Sequence, residues 1–366
     1  SLGQMHRAGA DTAEIIVQWY FANISSTAIY AITEPSSPLR TSTDAELHAV
    51  LAEAKRLGMR TMLTLMLDPD WTLPDQSWCR GNPTTAPGGK HKGCGWRGQL
   101  GEAWDPSECS AGSSWGEWFA GYTPAVLKYA ALAERAGVDA YLLSHELIHG
   151  VNACPAQWTT QLAAVRKVYS GEVSHAFNPD MPSPFAGPVL PAKLTSQRWV
   201  QDLDWIGVDC YMQVPLPPYT GSSPPPLSPD DTHPALPWQD LTETELLAAY
   251  ATLVPLFAQL SRATGDKQIV CTEIGWASRP WTYTGRAGMG RLDAEDCSVW
   301  DQCVSTKAQA MTYTAFLQTY YAQPWFGGVT FWTWRADPTV GGLSDDGFSP
   351  QGKAAANVTR DFWGAP

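Results

Sequence analysis

Short apolar runs alternate along this chain with longer stretches in which apolar residues recur every three or four positions. The runs at 14–19, 60–67, 140–145, 172–177, 205–211, 268–272 and 328–334 read as strands. The stretches at 43–57, 115–136, 155–169, 193–202, 243–264, 305–321 and 350–362 read as helices, and 2–9 as the end of another. Gly58 and Gly137 stand where two of the helices should stop. Strands that are apolar throughout, each followed by a helix, are the pattern of a parallel α/β architecture, because both faces of the sheet are then covered. Seven strands and eight helices that begin on a helix predict a (β/α)8 TIM barrel whose first β-strand is missing from the chain as given. No repeat or linker divides it, so residues 1–366 are expected to form one catalytic domain. Long βα loops at 68–113, 212–240 and 277–304 are expected to lie over the barrel mouth.

A barrel of this kind carries its chemistry at the C-terminal ends of its strands. Two glutamates occupy such ends: Glu146, after Tyr141-Leu142-Leu143-Ser144-His145, and Glu273, after Gln268-Ile269-Val270-Cys271-Thr272. Either alone is readable as a structural acid bonded to loop backbone. Both together, three strand positions apart, should face each other across the mouth. Burying two carboxylates there is costly unless they are paired or used. Such a pair is what glycoside hydrolysis requires, one carboxylate as nucleophile and the other as acid and then base. The rate should then be bell-shaped in pH. Tyr211 ends the strand before the one carrying Glu273 and is placed to orient that carboxylate; Asp209 and Asp204 flank the same strand. Trp332 and Trp334 alternate with Phe331 and Thr333, which would put both indoles on the inner face of the last strand. Asn178, after the strand at 172–177, and His175 within it are further polar candidates, His175 with the stronger structural reading.

Composition narrows the substrate. A formal net charge of -12 disfavours nucleic acid, so the expected partner is a neutral polysaccharide or oligosaccharide. The chain holds 18 Trp, whose flat faces suit both a barrel core and a sugar ring. No apolar run reaches the length of a bilayer span, and no zinc-like cysteine spacing or phosphate-binding glycine loop is present, so no membrane, metal or cofactor is expected. Of 8 Cys, Cys79, Cys94, Cys109 and Cys154 allow two bridges of open connectivity, Cys297 and Cys303 can pair across one short loop, and Cys210 and Cys271, inside strands, read as buried free thiols. With the sequons at Asn23 and Asn357 this favours a secreted protein, expected to be monomeric. No leader is visible, and Ser1 reads as a start left by removal or by a segment upstream.

The segment Phe331-Trp332-Thr333-Trp334-Arg335-Ala336-Asp337-Pro338, followed by Gly341-Gly342, Asp345 and Ser349-Pro350-Gln351-Gly352-Lys353, resembles the C-terminal signature of glycoside hydrolase family 113. Trp19-Tyr20, Trp96-Arg97-Gly98, Trp118-Phe119-Ala120, Gly207-Val208-Asp209-Cys210-Tyr211 and Thr272-Glu273-Ile274-Gly275 agree in order and spacing along essentially the whole chain. The resemblance implies a retaining β-mannanase with Glu146 as acid/base, Glu273 as nucleophile and β-1,4-mannan or glucomannan as substrate. Trp19, Tyr20, Asp68, Trp96, Arg97, His145, Asn178, Asp209, Tyr211, Trp276, Trp332 and Trp334 are then the expected substrate-binding set. One departure matters. Many members of the wider clan carry Asn before the acid/base, in contact with the sugar 2-hydroxyl, and here the residue is His145. The segment between Asp68 and Trp96 also looks long, which would favour exo action or a branched substrate. Two other readings use the same fold: a transglycosylase, and a catalytically silent sugar-binding or matrix barrel.

Overall fold

The structure is a computed structural model, and it describes residues 1–73, 95–179, 188–212, 214, 241–279, 282–284 and 304–364. Seven parallel strands run in chain order across one curled sheet: β1 Thr12–Phe21, β2 Arg60–Pro69, β3 Ala140–His145, β4 Glu172–Phe177, β5 Ile206–Asp209, β6 Ile269–Ile274 and β7 Phe326–Phe331. All seven expected strands are present. β1 and β7 are the two edges, and no backbone ladder joins them among the described residues. A cavity of about 1360 Å³ opens along that side, from Arg60 and Glu172 at the bottom of the sheet to His145, Glu273 and Trp332 at the top.

Local chemistry places the helices. Thr43 and Glu46 form a reciprocal capping box before helix Asp44–Arg56, and Gly137, at φ 62°, ends helix Ser114–Ala136 in the left-handed conformation that favours glycine. The outer layer packs through aromatics. Trp118, Tyr122, Trp158 and Trp199 are buried, Trp158 stacking on Trp199 at 5.1 Å and Trp118 on Tyr122 at 4.4 Å. Truncating a side chain of this size in such a core costs about 3–5 kcal/mol.

Three expectations are corrected. The helix expected over 243–264 is two, Glu243–Ala251 and Val254–Ala263. Pro255 has no N–H to give the carbonyl four residues earlier, so the helix breaks there. The stretch Glu243–Ala263 is long and apolar enough to cross a membrane, but Leu246, Tyr250, Leu253, Phe257 and Leu260 are buried within the protein. The second correction is the last strand, which ends at Phe331, so Trp332 and Trp334 follow the ladder and do not share a strand face; the Trp332–Thr333 peptide is cis. The third is Cys210 and Cys271, which are not free thiols. They lie on neighbouring chain segments with Cα atoms 5.5 Å apart and form a disulfide. Cys109 and Cys154 form another, one of the pairings the sequence left open. Cys79, Cys94, Cys297, Cys303 and most of the three long loops lie outside the described residues.

Candidate active site

The ends of β1 to β6 converge on one cluster. Glu146 follows β3 directly, with φ 52°, a left-handed conformation that is uncommon for a residue with a side chain and costs about 1–3 kcal/mol. Its backbone N–H donates to the Ala176 carbonyl of β4 at 2.9 Å, which fixes this turn to the neighbouring strand. Glu273 lies within β6, and Gly275 after it allows the close approach of β7: a Cβ there would collide with the Trp332 carbonyl. Glu146 is 6% exposed and Glu273 9%. Oxygens of the two carboxylates, an Asp209 oxygen and a His145 ring nitrogen all lie within 4.8 Å of one another.

Each carboxylate oxygen of Glu146 and Glu273 has a partner. Arg97 Nη1 donates to Glu146 Oε2 at 2.7 Å, and Asn178 Nδ2 donates to Glu146 Oε1 at 2.8 Å. The same guanidinium donates from Nη2 to Asp68 Oδ1 at 2.6 Å and from Nε to the Leu67 carbonyl at 2.9 Å. Burial works against its charge, but Asp68, Glu146 and Glu273 together hold it above its ordinary pKa. On the other side, the Tyr211 hydroxyl donates to Glu273 Oε1 at 2.7 Å and His145 Nε2 lies 2.6 Å from Glu273 Oε2. Burial alone would raise the Glu273 pKa; His145, Arg97 and Tyr211 outweigh it and bring the carboxyl below the usual glutamate value. Asp209, fully buried, receives a hydrogen bond from Thr272 at 2.9 Å and lies 3.3 Å from His145 Nε2. Burial pushes its pKa up, against the pull of His145. By distance these four groups could hold a cation, and Arg97, paired with Asp68 and Glu146, already brings one positive charge to them.

Not every expected residue arrives here. Tyr20 and Gln18 share one face of β1, and Gln18 Nε2 donates to Asp68 Oδ2 at 2.8 Å. Trp19 takes the other face, where its indole N–H donates to Tyr129 of the outer helix at 2.9 Å, so it is not brought to the site. Trp276 is buried against Tyr313 at 5.1 Å and Tyr250 at 6.3 Å, and is a core residue. The Trp96 ring covers the backbone of Gly98 beside Arg97. Trp332 and Trp334 line the cavity next to Glu273. His175 is buried and stacked on Phe177 at 4.3 Å; burial and then the charge of His145 bring its pKa down to about 3, so it is a neutral structural side chain. Two residues were missed. Gln18 positions Asp68, and Glu14, whose pKa is raised by burial, sits below His145 with Thr64 at 2.6 Å and Thr330 at 2.7 Å. The signal was available: Glu14, Gln18 and Tyr20 are polar or hydroxylated at even spacing on an otherwise apolar strand.

The family model described as Glycoside Hydrolase Family 113 matches residues 90–353. The chain belongs to that family. It is a glycoside hydrolase, and the carboxylate pair sits in the matched region. Its fold is similar to that of the GH113 beta-mannanase AaManA from Alicyclobacillus acidocaldarius, solved in complex with ManMIm. That match has a TM-score of 0.66 and 18% identity, and covers 99% of this chain and 90% of the other. A GH113 beta-1,4-mannanase solved as a complex matches with a TM-score of 0.63 and 17% identity, over 99% of this chain and 91% of that one. A further GH113 beta-1,4-mannanase structure matches at 0.64 and 16%, over 100% and 92%. No curated protein sequence matches the chain.

Proposed function

We propose that this hydrolase is a retaining β-mannanase that cleaves β-1,4-mannan or glucomannan by double displacement, with Glu273 as nucleophile and Glu146 as acid/base. The observation that carries the reading is that an oxygen of one carboxylate lies within 4.8 Å of an oxygen of the other. Retaining glycosidases hold theirs about 5–5.5 Å apart, whereas inverting ones leave about 6.5–9.5 Å for a water. The division of roles follows from their surroundings. Glu273 is held ionised by Tyr211 and His145, as an attacking carboxylate must be. Glu146 lies on the side of Asn178 and Arg97, where it delivers a proton to the leaving oxygen and then takes one from water. The Trp332 and Trp334 indoles line the cavity that reaches Glu273, and Asp68 shares Arg97 with Glu146, which supports polar and flat apolar contacts of the kind a sugar needs. That the characterised neighbours are named as β-mannanases supports the choice of sugar.

The chain acts in this reading as one catalytic domain and as a monomer. The two disulfides and the exposed Asn23 and Asn357 of its sequons support a secreted, glycosylated protein. The test is release of reducing ends from β-1,4-mannan and glucomannan, set against xylan and β-glucan. Glu146→Gln and Glu273→Gln should each lose nearly all activity, and the first product seen by NMR should carry the β-anomer. A wild-type protein that binds mannan and releases nothing would overturn the reading; an α-anomer would overturn retention.

A further inference from the structure

We propose that His145 is the positioning residue of the nucleophile: as an imidazolium bridging Asp209 and Glu273, it keeps Glu273 ionised and fixes the direction of its attack. The proposal rests on Glu273 being the nucleophile and concerns a position where many members of the wider clan hold a neutral amide. The geometry makes the case. His145 is the last residue of β3 and is 1% exposed. Its Nε2 sits 2.6 Å from Glu273 Oε2 and 3.3 Å from Asp209 Oδ2, so one nitrogen is shared by two buried carboxylates. Two carboxyl groups converging on one ring nitrogen removed from water are compensated when that nitrogen carries a proton and the ring a charge. With Tyr211 on Oε1 and His145 on Oε2, each oxygen of Glu273 has its own partner. That fixes the plane of the carboxylate, and an engaged Nε2 is not free to bind a sugar hydroxyl. In this chain the 2-hydroxyl must therefore be read by a group other than His145.

The charged groups around the ring agree. β1 contributes Glu14, β2 Asp68, the short helix Arg97–Gln99 its Arg97, the residue after β3 Glu146, β4 His175, β5 Asp209 with Tyr211 just beyond it, and β6 Glu273. Arg97 is committed to Asp68 and Glu146, and burial keeps His175 neutral. Burial also works against a charged His145, but Asp209, Glu273 and Glu146 outweigh it and raise its pKa to about 10. A charged ring carries a proton on Nδ1 as well as on Nε2, so the two ring nitrogens together report its state.

Two measurements decide the matter. The first is ¹⁵N NMR of the histidine-labelled protein across pH 5–11. The His145 signals are identified by their loss in His145→Asn, or by removing the other six of the chain's 7 histidines one at a time if that variant does not fold. An imidazolium persisting through pH 8 is expected; a neutral ring at pH 7 overturns the proposal, whatever the protein hydrolyses. The second is the pH profile of kcat/KM. Loss of an opposite charge at this range shifts a carboxylate by about 1–3 pH units, so the acid limb should move up by that amount in His145→Asn, with kcat falling more than KM rises. An active His145→Asn enzyme with an unmoved acid limb also overturns it. Absence of mannan hydrolysis by the wild type, with His145 still charged, would instead count against the substrate reading alone.

Discussion

Tyr211 and Arg97 hold the two carboxylates by different means, and their removal should differ in kind. Tyr211→Phe takes one hydrogen bond from an ionised acceptor and leaves the ring in place. A bond to a charged group contributes about 1.5–3 kcal/mol, so kcat/KM should fall by about 10- to 100-fold with little change in melting temperature. Arg97→Met strands Asp68 and Glu146, both largely buried, without a cation. That should cost about 3–5 kcal/mol of stability as well as activity, read as a lower midpoint of denaturation. The pH dependence of stability follows from the same ring that positions Glu273. The folded-state pKa of His145 is raised from 6.5 to about 10, so its contribution is complete below pH 6.5 and is lost as pH rises through 10. The folded pKa of Glu273 is depressed, so its contribution is present above the unfolded value and fades in acid. Melting temperature should decline from pH 6.5 toward 10, and the decline should flatten in His145→Asn. A protein equally stable at pH 7 and 10 would contradict the assignment.

The seven strands were legible because a buried parallel strand is a dense apolar run, and β2 and β3 are buried along almost their whole length. What failed to read were features decided between elements. On β1 the alternation itself carried the answer: Glu14, Gln18 and Tyr20 mark the site face, which consigns Trp19 to the other side. Past Phe331 the same alternation misleads, since aromatic residues continue after the ladder has ended. Glu146, Glu273, Asn178 and Tyr211 could be placed from sequence because strand ends are where a barrel gathers its chemistry, whereas Asp68 and Arg97 came only from the family resemblance. The Cys210–Cys271 bridge could not, because it depends on which residues of β5 and β6 come side by side. It ties the segment carrying Asp209 and Tyr211 to the strand carrying Glu273. Closing a loop of separation 61 removes about 4 kcal/mol of unfolded-state entropy. Replacing both cysteines by Ser should lower the unfolding free energy toward that amount in a denaturant titration. Activity should suffer too, since the two halves of the Glu273 clamp would no longer be tethered; an unchanged midpoint would show that the sheet alone holds them.

At the scale of the whole molecule, a formal charge of -12 surrounds a mouth that already contains Asp68, Glu146, Asp209 and Glu273 against the two cations Arg97 and His145. A neutral glycan approaches such a surface without electrostatic cost, whereas a polyanion meets repulsion both at long range and in the cleft. The two contributions separate with salt. Screening shortens the reach of the field from about 30 Å at 0.01 M to about 3 Å at 1 M, which removes long-range repulsion and leaves the buried charges of the mouth largely as they are. A mannan and the same mannan lightly carboxymethylated should therefore differ most in dilute buffer. The kcat/KM for the neutral polymer should stay level across that salt range, while that for the anionic one should start lower and rise several-fold without reaching it. The residual gap at 1 M measures the unscreened carboxylates at the strand ends. Equal turnover of both polymers at low salt would mean that the outer charge lies away from the cleft and has no part in choosing the substrate.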